Sequence, residues 1–372
     1  MKFLFACGGT AGHINPAISV AQYIKSQHPE AEILFVGNPN GMEARLVPKA
    51  GFAFKGVKIL GFQRQINWHN IKNNAKAVAL LMTASSKAGK IIKDFNPDIV
   101  VGTGGYVSGP VLRKAHKMGY KTVTHEQNAF PGVTTKLLTR YADKVLLAFE
   151  KAVDYLPKGC EYIVTGNPVR EDIIFADRKK SREKLGVADK FCLLTYGGSL
   201  GAQRVNEAVA DVIAWHYKAG NIHHIHATGS YGVELLPRLL KEKGVDLSGN
   251  KNIDIREYID DMADCMAAAD LVVCRAGAIT LSELQAAGRA SILIPSPNVA
   301  ENHQYHNAMV LVNNGAAEII EEKYLTGKIL CDKIAEIVND SQRLERLSKN
   351  AANMAVIDAN KRIYNEIMAL VK

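Results

Sequence analysis

The chain has 372 residues, long enough for two domains that each bury a core, and no apolar run approaches the roughly 20 residues of a membrane-spanning helix. Its six cysteines are scattered without a C-x-x-C, which argues against a disulfide frame or a zinc site and reads as reduced thiols in a cytosolic protein. The net charge of +9 is uneven: residues 1–165 carry 21 Lys+Arg against 10 Asp+Glu, whereas residues 166–372 carry 25 against 27, so only the first half is expected to face an anionic partner.

Lys2–Cys7 reads as a β-strand, too short and too soon followed by glycines to be a signal peptide. Gly8-Gly9-Thr10-Ala11-Gly12-His13 comes next, then a helix from about Pro16 to Gln27, with Pro16 in the first turn where a missing N–H costs nothing. Strand, glycine loop and helix together form the phosphate- or substrate-cradling opening of a doubly wound domain. It is a poor NAD site, because Gly8-Gly9-x-x-Gly12 is not G-x-G-x-x-G and no acidic residue ends the next strand, Ile33–Val36. His13 stands where the loop enters the helix, either as a structural group or as a base pointing into a cleft.

Between Glu43 and Asp94 there are ten basic side chains and no acidic one. They interleave with Phe52, Phe54, Leu60, Phe62, Ile66 and Trp68, a mixture that suits an anionic membrane better than nucleic acid. A core with a solvated basic rim is the competing reading. Asn70–Lys93 has helical spacing, with Ile71, Ala75, Val78, Met82 and Ser86 on one face and the lysines largely elsewhere. Asp98–Val101 is a strand running into Gly102-Thr103-Gly104-Gly105-Tyr106, where so many glycines imply close approach of backbone to ligand. Thr122–His125 is the next strand, and Glu126, Gln127 and Asn128 stand at its exit, a position where polar side chains tend to act on ligands. Lys144–Leu147 and Tyr162–Val164 continue the alternation, and Thr165 to Arg170 is a turn-rich connector.

The second half repeats the first. Phe191–Tyr196 followed by Gly197-Gly198-Ser199-Leu200-Gly201 copies the strand and GGxxG of the N-terminus 189 residues earlier, which suggests two similar α/β domains. Ile222–Ala227, Ile253–Ile255, Leu271–Cys274 and Ser291–Ile294 are further strands, and the chain is helical from Asp332 onward. After Cys274, Arg275 to Ala278 turns the chain, and Thr280-Leu281-Ser282-Glu283 opens a helix that Gly288 ends. Ala278 to Glu283 therefore lies at a helix start beside a strand's C-terminal end, where open α/β sheets bind anions and other ligands. Glu283 reads equally well as a ligand-binding carboxylate and as the far end of a capping box begun by Thr280.

GGTAGH (8–13), GTGGYVSGP (102–110), HEQN (125–128), TGNPVR (165–170), GGSLGAQ (197–203), EYIDDM (257–262), CRAGAITLSEL (274–284) and HQYHNA (303–308) together resemble the membrane-associated N-acetylglucosaminyltransferases of peptidoglycan synthesis, in family 28 of the GT-B glycosyltransferases. The resemblance implies an α/β protein of two Rossmann-like, doubly wound domains facing across a cleft. Residues 1–168 would form the acceptor- and membrane-binding domain, residues 169–354 the UDP-sugar domain, and a helix at about 355–372 would pack back on the first. The implied reaction moves N-acetylglucosamine from UDP-N-acetylglucosamine to the muramyl 4-hydroxyl of lipid I, the undecaprenyl-diphosphate-linked acceptor, with inversion. The implied place is peripheral, on the cytoplasmic side of the cell membrane, without nucleic acid. By resemblance the donor would meet Arg170, Ser199, Ile259, Ala278, Ile279, Thr280, Leu281, Ser282, Glu283 and Gln304, with Thr10, Ala11, Gly12 and Asn128 from the first domain. Gly104, Gly105 and Tyr106 would form the acceptor-side loop, and His13 or Glu126 would be the base. The family loop usually has a third glycine where this chain has Ala11, whose methyl restricts φ.

No cofactor is implied. The chain has no Asp-x-Asp pair to hold Mg²⁺ on a nucleotide-sugar, so a catalytic metal is not expected either. Three other classes stay open at this level. An NAD-dependent oxidoreductase lacks its ribose carboxylate in both halves, a UDP-N-acetylglucosamine 2-epimerase would not need a basic apolar face, and a binding module would not need two glycine-loop domains.

Overall fold

The structure, a computed structural model, describes residues 1–59, 83–187, 189–198 and 200–371. Two compact units emerge, one of residues 1–168 with 358–372 and one of residues 169–357. The first contains seven strands: β1 Lys2–Ala6, β2 Glu32–Gly37, β3 Ala53–Gly56, β4 Ile99–Gly102, β5 Lys121–Glu126, β6 Lys144–Leu147 and β7 Ile163–Val164. They pair in parallel in the order β3-β2-β1-β4-β5-β6-β7. A parallel sheet is covered on both faces, which is why its strands read as continuous apolar runs. Phe3 and Phe5 of β1, with Cys7 just past its end, enter one core layer, and Leu4 and Ala6 the other. The first layer holds Ile14, Ala17, Ala21 and Ile24 of the helix Ala11–Gln27 together with Ile363 and Ile367 of the last helix, Ala359–Met368. That last helix is fixed by a hydrogen bond of 2.7 Å between the His28 ring and the Tyr364 hydroxyl and an ion pair between Lys144 and Glu366. The second layer holds Ala84, Ala88 and Ile92 and the helix Ser108–Lys117 through Val111, Leu112 and Ala115.

The second unit has six parallel strands: β8 Phe191–Tyr196, β9 Ile222–Ala227, β10 Ile253–Arg256, β11 Leu271–Cys274, β12 Ala290–Leu293 and β13 Glu318–Ile319, in the order β10-β9-β8-β11-β12-β13. In each sheet the strand order reverses once, between β1 and β4 and between β8 and β11. The loops leaving β1, β4 and β8 are glycine-rich and the one leaving β11 carries Gly277, so each sheet has its turn glycines where its strand order reverses. β9 also carries buried histidines. A chain of hydrogen bonds runs from His216 to His224 at 2.9 Å, to Thr195 at 2.8 Å, to His226 at 2.7 Å and to Asn206 at 3.1 Å. Burial lowers His216 and His226 to about 4 and His224 well below the usual range, so all three are neutral.

Several local expectations change. The first helix begins at Ala11, so Pro16 lies inside it and leaves the Gly12 carbonyl without its helical donor. Ala11 is the first helical residue and has no positive φ; that conformation falls on Gly9 at φ +87°, so the alanine methyl fits. Phe52 and Phe54 are half-buried and pack against the first core layer, with the Phe35 and Phe52 rings 5.3 Å apart. Residues 83–95 are helical but turn Ser86 outward. Ile71, Ala75, Val78 and Met82, like Leu60, Phe62, Ile66 and Trp68, lie outside the described residues. β3 and β13 are absent from the sequence reading because both are short, partly exposed edge strands with no apolar run to mark them. Among the described residues no helix is long and apolar enough to cross a membrane.

Candidate active site

In the first unit the loops after β1 and β4 pack directly on each other. A methyl group on Gly105 would sit 2.2 Å from the Gly8 carbonyl oxygen, and one on Gly104 would sit 2.5 Å from Nδ1 of His13. Both glycines also have positive φ, so no other residue fits either position without moving the neighbouring loop. Tyr106 follows them, 55% exposed. Thr10 caps the first helix by backbone only and is exposed, while Gly12 and His13 stand in its first turn. The His13 carbonyl accepts from the Thr103 hydroxyl at 2.7 Å, which joins the two loops a second time.

A hydrogen-bond chain orients the His13 ring. His125 Nε2 faces the Gly166 carbonyl at 3.0 Å and must carry the proton there, leaving Nδ1 as an acceptor. Burial pushes His125 below the usual histidine range, an effect that the Gly166 carbonyl and Glu126 only partly oppose, so the ring is neutral. Gln127 Nε2 then donates to His125 Nδ1 at 2.9 Å and to the His125 carbonyl at 3.0 Å. Its Oε1 is left to accept from Nδ1 of His13 at 2.8 Å. The network thus assigns His13 the tautomer with its proton on Nδ1 and a lone pair on Nε2, and Nε2 has no partner among the described residues.

Glu126 is differently placed. Its side chain is only 3% exposed. One oxygen accepts from the backbone and side-chain nitrogens of Asn128, both at 3.0 Å, and the other from Gly132 N at 3.0 Å and the Thr135 hydroxyl. A carboxylate with four donors and no exposed edge organises the loop after β5; it does not stand open to a substrate proton. Asn128, half-buried, is part of that arrangement.

In the second unit the helix Ala278–Ala287 follows β11, with Gly277 as N-cap and Gly288 at φ +62° as its left-handed stop. Thr280 is its third residue, so the capping box does not form and Glu283 is not a capping carboxylate. Nor do all six residues 278–283 face one way. Leu281 is fully buried in the core, Ala278 and Ser282 are buried, and the Ser282 hydroxyl donates back to the Ala278 carbonyl at 3.2 Å. Ile279, Thr280 and Glu283 remain partly accessible. Glu283, with a side chain 14% exposed, lies 3.7 Å from Nε of Arg170, which also reaches Asp172 at 3.6 Å. Burial raises the Glu283 acid to about 7; Arg170 draws it down and Asp172 pushes it up.

Gln304 is set by the backbone: its Oε1 accepts from Ser296 N at 2.8 Å, which turns its amide N–H groups outward. It follows Glu301 and Asn302, both at positive φ, a strained turn that starts the helix His303–Asn313. Ile259 has its side chain in the core, so only its backbone is available to a ligand. Ser199 lies outside the described residues; its neighbour Gly201, at φ +84°, packs against Thr228 and Gly229. A cavity of about 820 Å³ opens beside Lys25, Phe52, Lys87 and Phe95, near the N-terminal ends of the first sheet's strands. It lies away from the strand C-termini where ligands of parallel sheets bind. Among the described residues no group of three or more His, Cys, Asp or Glu is arranged to hold a metal ion.

Residues 3–147 match the glycosyltransferase family 28 N-terminal domain and residues 192–363 the glycosyltransferase family 28 C-terminal domain. The chain is 44% identical to the UDP-N-acetylglucosamine–N-acetylmuramyl-(pentapeptide) pyrophosphoryl-undecaprenol N-acetylglucosamine transferase of Acetivibrio thermocellus, over 100% of this chain and 99% of that protein. It is 41% identical to the protein of the same name from Alkaliphilus oremlandii, over 100% of both. The crystal structure of Acinetobacter baumannii MurG superposes with a TM-score of 0.78 at 28% identity, covering 99% of each chain. With both domains in order and relatives matched along its whole length, the chain belongs to glycosyltransferase family 28.

Proposed function

We propose that the chain is an inverting transferase that moves N-acetylglucosamine from UDP-N-acetylglucosamine to the 4-hydroxyl of the muramyl residue of an undecaprenyl-diphosphate-linked pentapeptide. Full-length relatives that carry this activity in their names support the reading. The observation within the chain that carries it is His13, with Nδ1 on Gln127 and Nε2 left as an acceptor beside the first glycine loop. In the proposed step Nε2 takes the proton of the acceptor hydroxyl while its oxygen bonds to the donor's anomeric carbon. The bond from that carbon to the diphosphate breaks on the opposite side, and UDP leaves.

The developing charge on UDP meets the N–H groups and dipole of the helix beginning at Ala278, together with Arg170 and the loop at Ser199. Glu283 accepts from the ribose hydroxyls, the Ile259 backbone reads the uracil edge, and the Gln304 amide donates to sugar hydroxyls. Thr10, Ala11, Gly12 and Asn128 are the first unit's contacts to the donor, and Gly104, Gly105 and Tyr106 hold the acceptor. Glu126 serves by ordering the loop that carries Asn128. Labelled UDP-N-acetylglucosamine, incubated with and without the lipid-linked acceptor, tests the reading. Label should move to lipid only when acceptor is present; label recovered as the 2-epimer without acceptor would contradict it.

Since helix N–H groups and Arg170 carry the diphosphate charge in this account, turnover is expected to persist in excess EDTA. Loss of nearly all turnover, restored by Mg²⁺ alone, would count against it.

The acceptor's lipid tail places the work at a membrane, and the acid-free basic segment of the first unit supports docking on the anionic cytoplasmic leaflet. Each basic residue near such a surface contributes about 1 kcal/mol. Changing Lys72, Lys76, Lys87 and Lys90 to Gln is therefore expected to lower partitioning onto anionic vesicles by about 10²- to 10³-fold, in a salt-sensitive way, with turnover of a short-chain soluble acceptor intact. Unchanged co-sedimentation would remove this part of the proposal.

A further inference from the structure

Beneath the first glycine loop lies a carboxylate with no exposure at all, that of Glu43. It opens the short helix Glu43–Lys49 and points into a space walled by three glycines. A methyl on Gly8 would sit 2.2 Å from its Oε1, one on Gly41 2.3 Å from its Oε2, and one on Gly37 2.4 Å from its Cγ. Its two oxygens are divided between two backbone donors. Oε2 accepts from Gly9 N at 3.2 Å and Oε1 from Asn38 N at 2.8 Å. Among the described residues no cation pairs with it, so its fixed partners are the two loops that leave β1 and β2.

We infer that Glu43 is the positioning residue of the first glycine loop, and through it of His13. The loop is held from both sides: Gly105 lies against the Gly8 carbonyl on one side, and the Glu43 carboxylate lies against the Gly8 Cα on the other. The Gly9 N–H bond fixes the residue that takes the left-handed turn, four positions before the histidine. Three glycines around one carboxylate leave no slack for the side chain to move, so the anchor is rigid. This assignment rests on the proposed role of His13 as base.

Glu43→Gln is the informative variant because it keeps size and shape. An amide offers one oxygen and one NH₂ to two backbone N–H donors, so one of the two bonds becomes a donor facing a donor. Small displacements of a catalytic group have large kinetic effects, up to about 10²-fold for ~1 Å. The variant is expected to lower kcat per folded molecule by roughly 10- to 100-fold, with a smaller rise in donor KM because Thr10, Ala11 and Gly12 of the same loop are proposed donor contacts. Hydrogen exchange of the amides of residues 8–13 should be faster than in the wild type. In a His13→Ala background the same change should cost nothing further, because the group it positions is gone. A merely structural role would change melting temperature without this split and without the non-additivity. Unchanged exchange in the loop, an unchanged kcat, or a fully additive loss with His13→Ala would each overturn the inference. If the wild-type chain transfers no sugar, the proposed function falls on that result, and loop exchange alone then decides whether Glu43 is the anchor.

Discussion

Replacing His13 by alanine is expected to lower kcat by about 10²–10⁴, the usual contribution of a positioned general base. Donor KM should change much less, because most of the groups proposed for the donor lie in the other unit, at Arg170, Ile259 and the helix starting at Ala278. The size of the effect depends on geometry that the His13–Gln127–His125–Gly166 chain supplies. With Nδ1 fixed as a donor, Nε2 is held as the acceptor in one tautomer and one orientation, so little is lost in arranging the base before each turnover. Steady-state rates at saturating donor and acceptor check this. An unimpaired kcat would hand proton removal to water or to another group.

Glu283→Gln is expected to do two opposite things, each large. The native state holds the Glu283 proton up to about pH 7, whereas the unfolded chain releases it near 4.5. Between those values the native state binds more protons, so this residue's stabilisation is complete below about 4.5 and is lost as pH rises toward 7. Above pH 7 the buried carboxylate costs ~3 kcal/mol. The amide removes that cost, so the variant should be up to ~3 kcal/mol more stable than wild type at pH 8 and nearly equal near pH 4.5. Only the difference between the two proteins isolates the effect. His216 and His226 titrate near 4 in the native state, below the usual histidine value, and so destabilise the wild type as pH falls, in the opposite direction.

The same variant should bind donor more weakly by about 1–3 kcal/mol, because an amide cannot accept both ribose hydroxyls. In the wild type, donor affinity should fall as pH drops below 7, one proton being released from Glu283 on binding. Urea melts at pH 5 and pH 8, with UDP titrations across the same range, check both halves. Equal stability at pH 8 together with pH-independent UDP affinity would refute the assignment.

The division of labour within the site explains what the sequence can and cannot reveal. β6, β8 and β11 have the boundaries their largely apolar runs announce, as expected of strands buried on both faces of a parallel sheet, whereas β9 buries three histidines within its own run. β13 at the edge of its sheet is two residues of mixed polarity and announces nothing. The turns at the two strand-order reversals were equally legible, since Gly104 and Gly105 face backbone or ring atoms that a side chain would strike. Roles were harder. Glu126 and His13 are both plausible bases by residue type, and what favours His13 in the proposal is partners: four donors on Glu126, against Gln127 alone on the His13 ring among the described residues.

Those partners are remote in sequence: Gln127 is 114 residues from His13, and Glu43 is 34 residues from Gly9. No local pattern encodes such bonds. The run Ala278 to Glu283 shows a different limit. Successive helical residues turn by about 100°, so six in a row cannot all face a ligand, and the helical period alone predicts that some, here Leu281 and Ser282, point inward.

The proposed chemistry is most directly tested by the configuration of the new glycosidic bond. Product made from α-linked UDP-N-acetylglucosamine and a soluble muramyl acceptor, in the presence of EDTA, can be read at its anomeric proton by NMR. Direct displacement with His13 taking the hydroxyl proton predicts a β-linked disaccharide, formed one for one with released UDP. An α-linked product, or UDP released without disaccharide, would contradict it.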